Sequence, residues 1–440
     1  MTHSPTTSAD VVVVGGGFAG ISAARDLSRA GFEVVLLEAR DRLGGRTWYR
    51  DSPLGRPLEL GGTFVHWIQP HLWAEMVAHD LELEPSPGVD EVYWIMGGKV
   101  HSDSVERYSA LVSPGMAGLT EGARDAFPMP HRLFPMSESA LAADSLSVTD
   151  RLGQLGLTAE QIEVARSRWA LSFNGSPEEG SAAQPLRLAA LCGGNWQLVS
   201  EANRAYTVAG GTGRLVEAVH EGSTAQVRLS TTVTAVTASE HQVQVTTSEG
   251  ATVTARHAIV TLPLDILNTI AFDPPLSEGK QTAAERGQVS SGVKVWMRAK
   301  GHVRPFIAFA PDEYPLTMAG TEYEVGDDTI LLGFGPHSDK LDVTDVNAVE
   351  AALHQWRPDI ELIAVDAHDW TADPLSGETW AMPRPGHLST EIEELQRPEG
   401  RVRLAGSDYA HGWAGYIDGA LESGRRAARH LIDELTRVAR

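Results

Sequence analysis

Residues 11–38 read VVVVGGGFAGISAARDLSRAGFEVVLLE, and the order of residue types in this stretch decides the fold. Val11 to Val14 form a short, wholly apolar run of the kind a buried parallel strand uses. It runs straight into Gly15-Gly16-Gly17-Phe18-Ala19-Gly20, after which Ile21, Ala24, Leu27 and Ala30 recur at helical spacing until Gly31 ends the helix. A second apolar strand, Val34 to Leu37, delivers Glu38 at its C-terminal end, 18 residues past Gly20. The whole is a βαβ unit around a glycine fingerprint for dinucleotides. Gly15 permits the tight turn, Gly17 lets backbone approach a pyrophosphate, and Gly20 lets helix and strand pack closely. The helix start, with Phe18 and Ala19 in its first turn, offers unpaired N–H groups to the phosphates. Glu38 accepts ribose hydroxyls and repels a 2′-phosphate, so an adenosine diphosphate moiety without that phosphate fits, leaving NAD and FAD open.

The next residues bear on that choice. Ala39 and Arg40 lead into Asp41-Arg42-Leu43-Gly44-Gly45-Arg46-Thr47, a second glycine turn with arginines just past the ribose acid. An ordinary basic turn is one reading of it. A long flavin lying across the protein gives these residues a purpose, because Gly44 and Gly45 permit close backbone contact and Arg46 can meet the pyrophosphate. A second nucleotide fingerprint is missing: Gly210-Gly211-Thr212-Gly213 lacks the third glycine and the downstream acid, and reads as a turn opening a helix around Leu215 to Val219.

The rest of the composition narrows the classes. A chain of 440 residues allows two or three domains, and 42% apolar with 21% charged residues is ordinary for a globular protein. With 36 basic and 58 acidic residues the net charge is −22, which disfavours nucleic acid and polybasic membrane docking. Cys192 is the sole cysteine, so an intrachain disulfide is impossible. Sixteen histidines lie scattered without HExxH spacing, and GxSxG is absent, so neither a metal site nor a serine hydrolase is expected. Met1 to Asp10 is polar and lacks a signal-peptide core, and a cytoplasmic location is the default expectation.

These motifs together resemble the flavin-dependent amine oxidase (monoamine oxidase) superfamily, and the resemblance covers nearly the whole chain, closest in motifs to bacterial hydroxynicotine oxidase-like enzymes. Leu60-Gly61-Gly62-Thr63-Phe64 resembles the family's glycine pair beside the flavin ring, and Tyr206 to Leu215 its mid-chain GG element. Leu404 to Gly424, LAGSDYAHGWAGYIDGALESG, is the most specific match. The family implies an α/β fold in which a Rossmann-type FAD-binding domain, 1–85, 200–268 and 385–440, is interleaved with an α+β substrate domain, 86–199 and 269–384. Val227 to Val236, Val243 to Thr247 and Val253 to Val260 read as strands returning to the cofactor domain. Residues 111–137 read as loop, and Thr158 opens a helix with Gln161 at the capping-box position and Asn174-Gly175 at its end.

Carried over by position, the resemblance implies FAD contacts at Gly61, Gly62, Thr63, the adenine-side Val233, Trp370, Gly406, Ser407, Asp408, Gly415, Tyr416, Ile417 and Ala420. It implies an aromatic cage of Trp380 and Tyr416 before the flavin. Thr379 stands where animal monoamine oxidases carry the covalent cysteine, and threonine forms no thioether, so the FAD is expected to be non-covalent. Alternation along Ser291 to Met297 on its own predicts an outward, solvated Lys294. The family match instead implies a lysine that holds a water at flavin N5 and assists reoxidation by oxygen. His66 beside Trp67 is a weaker candidate for the pocket wall, with simple packing as its plainer reading. The final helix, from near Gly415, carries Ile417, Ala420, Leu421, Ala428, Leu431, Ile432 and Leu435 on one stripe and points its start at the flavin.

The expected activity is an FAD-dependent, oxygen-using amine oxidase making hydrogen peroxide, with a small cyclic, alkaloid-type or other primary or secondary amine as substrate. Its expected partners are that amine and O2, with a homodimer compatible with the chain. The rivals are an L-amino-acid oxidase, which needs an arginine for the substrate carboxylate that sequence alone does not locate, a flavin-binding protein without turnover, and an NAD dehydrogenase. The substrate pocket is expected from segments 64–200 and 300–330.

Overall fold

The computed structural model describes residues 6–438, so Met1 to Pro5 of the polar start lie outside the described residues. Thr6–Val14 occupies the middle of an eight-stranded sheet, parallel to Val34–Leu37 on one side and to Thr252–Val260 on the other. Gln226–Arg228 adds outside Val34–Leu37, and Val402–Leu404 pairs with Thr252–Val260, both in parallel. Val243–Thr247 and Val233–Ala238 then continue the sheet as an antiparallel pair, with Ala271–Asp273 at the edge.

Both faces of the central strand are covered, which is why its sequence is a run rather than an alternation. Val11 and Val13 face a helical layer with Ile21, Ala24, Leu27, Leu215, Val219, Leu421 and Leu431, whereas Val12 and Val14 face the larger core beneath. That layer consists of Phe18–Arg29, Thr212–His220 and the C-terminal helix Ile417–Val438. Burying Leu421, Leu431 and Leu435 stabilises the docking of that helix by about 1.5–3 kcal/mol each. The first helix is uncapped by any side chain at Gly17 and ends at Ala30, with Gly31 in the left-handed region. A Cβ on Gly20 would stand 1.9 Å from the carbonyl oxygen of Gly15, so only glycine allows this turn and helix to meet.

A second, seven-stranded sheet runs in the order Leu362–Ala367, Val293–Ala299, Asp328–Gly335, Met318–Val325, Phe306–Phe309, Glu91–Met96, Lys99–Asp103. It is antiparallel except where Phe306–Phe309 meets Glu91–Met96. Helices from residues 105–202 pack beside it. Ala159–Phe173 starts with the expected capping box, both bonds between Thr158 and Gln161 being formed, and stops at Asn174 in the left-handed conformation.

Two expectations need correction. Residues 111–126 are not loop: Val105–Thr120 and Ala123–Ala126 are helical. Pro114 and the neighbouring glycines suggest a break, yet Tyr108, Val112, Met116 and Leu119 form a buried stripe at helical spacing, and tertiary packing prevails. The strand expected over Val227 to Val236 is two strands on opposite sides of the sheet. Between them Ser230 takes φ 52°, and the Ser230 and Thr231 N–H groups donate to the Arg40 and Glu38 carbonyls, so the chain bends over the fingerprint acid.

Candidate active site

The C-terminal ends of the parallel strands, the glycine turns and the second sheet enclose one cavity of about 370 Å³, within the range of ligand pockets. At one end its wall is mostly backbone. Gly15, Gly17, Phe18, Ala19, Glu38, Ala39, Arg40, Gly44, Gly45, Arg46 and Thr47 all line it, with Thr231, Thr232 and Val233 closing over them. The Glu38 carboxylate accepts from the N–H of Gly16 at 2.6 Å and of Arg40 at 2.7 Å, which fixes it in the cavity wall with lone pairs to spare. The second glycine turn lies against the first, with the Gly44 N–H donating to Gly16 O. Arg42 staples it by donating to the carbonyls of Leu43, Gly45 and Thr47.

Arg46 reaches the cavity with its charge already matched: its guanidinium donates to Glu378, to Asp408 at 2.6 Å and to Ser407 at 2.8 Å. Burial raises the Glu378 pKa well above the usual carboxylate range, and the Asp408 charge adds to this, while Arg46 opposes the shift. Burial works against the Asp408 carboxylate too, but Arg46 outweighs it and keeps that pKa low. Asp408 therefore stands behind the wall, bonded also to the Leu264 N–H at 2.8 Å, and does not line the cavity as the motif match implies. Gly406, Ser407, Gly415, Tyr416, Ile417 and Ala420 do line it; Gly20 acts beneath, through packing.

In the middle, Gly61, Gly62 and Thr63 pass along the wall, and a Cβ on Gly61 would stand 2.0 Å from Arg46 O. Trp370 is held there by its indole N–H, which donates to Leu60 O at 2.9 Å. Lys294 is not outward and solvated. Its strand, Val293–Ala299, is central in a sheet covered on both faces, so alternation there does not separate inside from outside. Lys294 is 4% exposed, lines the cavity, and donates all three protons: to Glu59 O at 2.6 Å, to Gly61 O at 2.7 Å and to Thr63 Oγ1. Burial lowers its pKa to about 8, opposed by the nearby Glu59 carboxylate.

The far end is built from side chains. Trp380 reaches in with its indole N–H donating to Ser172 O at 3.0 Å, and stands edge-on to Phe334 at 6.0 Å. Tyr416 reaches in from the start of the C-terminal helix, its hydroxyl donating to Asn203 Oδ1 at 2.7 Å and its ring edge-on to Trp413. Thr379 also lines this region and accepts from Asn174 Nδ2. Sequence reading missed Ser172, Asn203, Arg168, Arg204, Phe334 and Met382, all in the wall. Asn203, Arg204, Phe334 and Met382 fall outside the expected segments altogether. The Asn174-Gly175 helix stop is the sequence signal closest to this wall. His66 belongs elsewhere: it is fully buried against Trp67 and Tyr206, accepts from the Ile68 N–H, and does not line the cavity. Among the described residues there is no metal-ligating cluster and no helix long and apolar enough to cross a membrane.

Fold and cavity define a dinucleotide-binding protein of the two-domain α/β type, and comparison with known proteins gives the family. The profile of flavin containing amine oxidoreductases matches residues 18–432, and the chain belongs to that family. It is 37% identical to a pseudooxynicotine dehydrogenase of Pseudomonas sp, over 97% of this chain and 86% of the relative. It is 37% identical to a nicotine dehydrogenase of Pseudomonas putida, over 96% of this chain and 88% of the relative. A (S)-6-hydroxynicotine oxidase of Paenarthrobacter nicotinovorans is 30% identical, over 96% and 99%. Among solved structures, putrescine oxidase bound to putrescine superimposes with TM-score 0.84 at 21% identity, covering 98% of this chain and all of that one. Cyclohexylamine oxidase of Brevibacterium oxydans superimposes with TM-score 0.80 at 20% identity, covering 97% and 99%. These two share the fold. The family's cofactor is FAD, and the residues present fit it: an uncapped helix start, a backbone-anchored acid and facing glycine turns line one continuous cavity.

Proposed function

We propose that the chain is an FAD-dependent amine oxidase that holds its flavin without a covalent bond and uses O2, forming hydrogen peroxide, on small cyclic or alkaloid-type amines. One observation carries the reading: Trp380 and Tyr416, distant in sequence, reach the same end of the cavity whose other end is the glycine fingerprint. When bound, FAD supplies a two-electron acceptor for hydride from the amine α-carbon and passes the electrons on to oxygen.

The protein's own residues hold and prepare the amine. Trp380 and Tyr416 act as two walls that orient the substrate and exclude water, each ring tethered by a hydrogen bond, to Ser172 and Asn203 respectively. Among the described residues no carboxylate lines this end, whereas Arg168 and Arg204 do, with Lys294 at the middle of the cavity. Such a field disfavours an ammonium and favours the neutral amine that α-C–H cleavage requires. Thr63 and the Gly61 carbonyl keep Lys294 against the middle of the cavity, where we assign it to the oxygen reaction. We keep the division into a FAD part, 1–85, 200–268 and 385–440, and a substrate part, 86–199 and 269–384, as part of this proposal, with a cytoplasmic location.

A second reading has specific support. Two of the relatives bear the name dehydrogenase, and all three Lys294 protons are already accepted by protein oxygens, leaving none for a water. In that reading an electron carrier replaces oxygen. Anaerobic mixing with a panel of amines should bleach the flavin, and admitting air should restore colour with stoichiometric peroxide. Bleaching that is reversed only by an artificial acceptor selects the dehydrogenase; no bleaching with any amine removes both. Acid precipitation should release all flavin into the supernatant, and colour retained in the pellet overturns the non-covalent assignment.

A further inference from the structure

The amine end of the cavity has a charge without a counter-charge. Among the described residues lining the cavity Glu38, at the opposite end, is the sole acid. Lys294 has the Glu59 carboxylate close behind it, and Arg204 is paired with Glu322. Arg168 has neither an ion pair nor a side-chain hydrogen bond among the described residues; its guanidinium rests on the Phe309 ring, 4.4 Å from the centroid. Burial lowers its pKa, Arg204 lowers it further, and Tyr108 opposes the shift. A half-buried guanidinium that lines the cavity without an ion pair has donors to offer an anion bound beside it.

The position of Arg168 says where such an anion would sit. Ser172, whose carbonyl tethers the Trp380 indole, lies on the helix Ala159–Phe173, and Arg168 lies one turn earlier, about 6 Å along the axis. Side chains on a helix lean toward its N-terminus, away from Ser172 in this case. Phe309, under the guanidinium, ends the strand whose Ile307 lines the cavity. An anion received there would sit about one helical turn from the carbonyl that tethers Trp380. The carboxylate of an α-amino acid, attached to the oxidised carbon itself, would remain between the rings.

We propose that Arg168 receives a carboxylate carried by the substrate at the end remote from the oxidised carbon, so that ω-amino carboxylates and their N-alkyl derivatives are preferred and diamines are disfavoured. The guanidinium fork matches a carboxylate with two parallel hydrogen bonds, and the Phe309 ring supports it from one side. Arg204 is a positioning residue: its pairing with Glu322 leaves its net effect on a ligand small while its bulk closes the same wall. A second ammonium, as in a diamine, would meet the Arg168 guanidinium where no carboxylate lines the cavity wall. This inference rests on the amine-oxidase reading above.

The test uses the purified holoenzyme with 6-aminohexanoate, its methyl ester, hexylamine and 1,6-diaminohexane in anaerobic flavin reduction. The expected order of efficiency is aminohexanoate, then ester and hexylamine, then diamine, with the acid favoured over hexylamine by about 10- to 100-fold. In Arg168→Met that ratio falls to about one, through KM rather than the limiting rate, and Arg168→Lys recovers part of it. Hexanoate, which cannot be oxidised, should perturb the flavin spectrum of the wild type and not of Arg168→Met, whose retained flavin absorbance shows that it is folded. Equal efficiency for acid and hexylamine in the wild type, or hexanoate binding unchanged by the substitution, overturns the inference. If no amine bleaches the flavin while hexanoate still binds through Arg168, the amine-oxidase reading fails and the anion site stands.

Discussion

The two ends of the cavity are made in opposite ways. At the dinucleotide end the wall is backbone: N–H groups at an uncapped helix start, two glycine turns in contact, and one acid tethered by N–H donors two residues after and 22 residues before it. At the amine end the wall is side chains from residues 168–204, 307–334 and 379–416, and its two rings, Trp380 and Tyr416, are each held by a partner far away in sequence. A backbone site needs particular φ values and close approaches, and few residue types supply them. A side-chain site needs a shape and a charge, which many combinations supply. The first is therefore rigid in sequence and shared with other nucleotide proteins, whereas the second is free to change substrate while the fold stays.

The comparison breaks most visibly at Gly20. Gly20→Val forces a side chain into Gly15 O, which stands 1.9 Å from the added Cβ. The expected result is a loss of about 3 kcal/mol or more and near-complete loss of bound FAD, measured as flavin absorbance per chain and thermal midpoint. Retention of full flavin content would show that the glycine turn is not what holds the cofactor end together. Next in size is the amine end. Trp380→Ala should keep FAD and stability near the wild type while slowing anaerobic flavin reduction by about 100-fold. An unchanged reduction rate would remove the ring from the site; loss of flavin would erase the distinction between the ends.

How far each end was legible follows the same division. Gly15, Gly17, Glu38 and Gly44 announce themselves because strand, turn, helix and acid must follow in register within about 30 residues. Thr158 and Gln161 were legible for the same reason, since a capping box is local. Arg168 and Asn203 have no local signature: one sits in an ordinary helix and the other follows a short one, and only the tertiary fold brings them beside Trp380 and Tyr416. Lys294 misleads for a third reason. Strand alternation assumes one wet face, and Val293–Ala299 has none, so its lysine is buried where the pattern sends it outward. The break between Arg228 and Val233 escaped because all its residues are compatible with strand; the bend comes from hydrogen bonds to Glu38 and Arg40 that no local pattern encodes.

Lys294 sits where the two ends join, and its titration sharpens the comparison. With its pKa lowered to about 8, it is charged below that pH and neutral above it. If its charge assists the oxygen reaction, reoxidation of reduced flavin slows as pH rises through about 8. Lys294→Met should be slower by about 10-fold at pH 7 and flat across that range, read by stopped-flow reoxidation separately from amine oxidation. The sign for stability is the reverse of an ion-paired lysine. The unfolded lysine binds its proton up to its ordinary value near 10.5, so between about 8 and that value the unfolded state holds more protons and stability rises with pH. A reoxidation profile identical in both proteins would take Lys294 out of the oxygen step and favour the dehydrogenase reading.

The smallest effect concerns a single tether. Asn203 accepts from the Tyr416 hydroxyl at 2.7 Å, and burial, with the neighbouring Cys192 adding to it, raises the pKa of that hydroxyl, so it stays a neutral donor throughout the working range. Asn203→Leu removes the acceptor and leaves a buried hydroxyl without its partner, a loss of about 1 kcal/mol. Because the ring is also held edge-on by Trp413, the phenol should loosen rather than leave, and the rate of flavin reduction should fall only about fivefold. The double variant with Tyr416→Phe decides whether the bond is the cause. Phenylalanine has no hydroxyl to strand, so Asn203→Leu should then cost almost nothing further; full additivity would mean that Asn203 shapes the amine end by volume rather than by holding the ring.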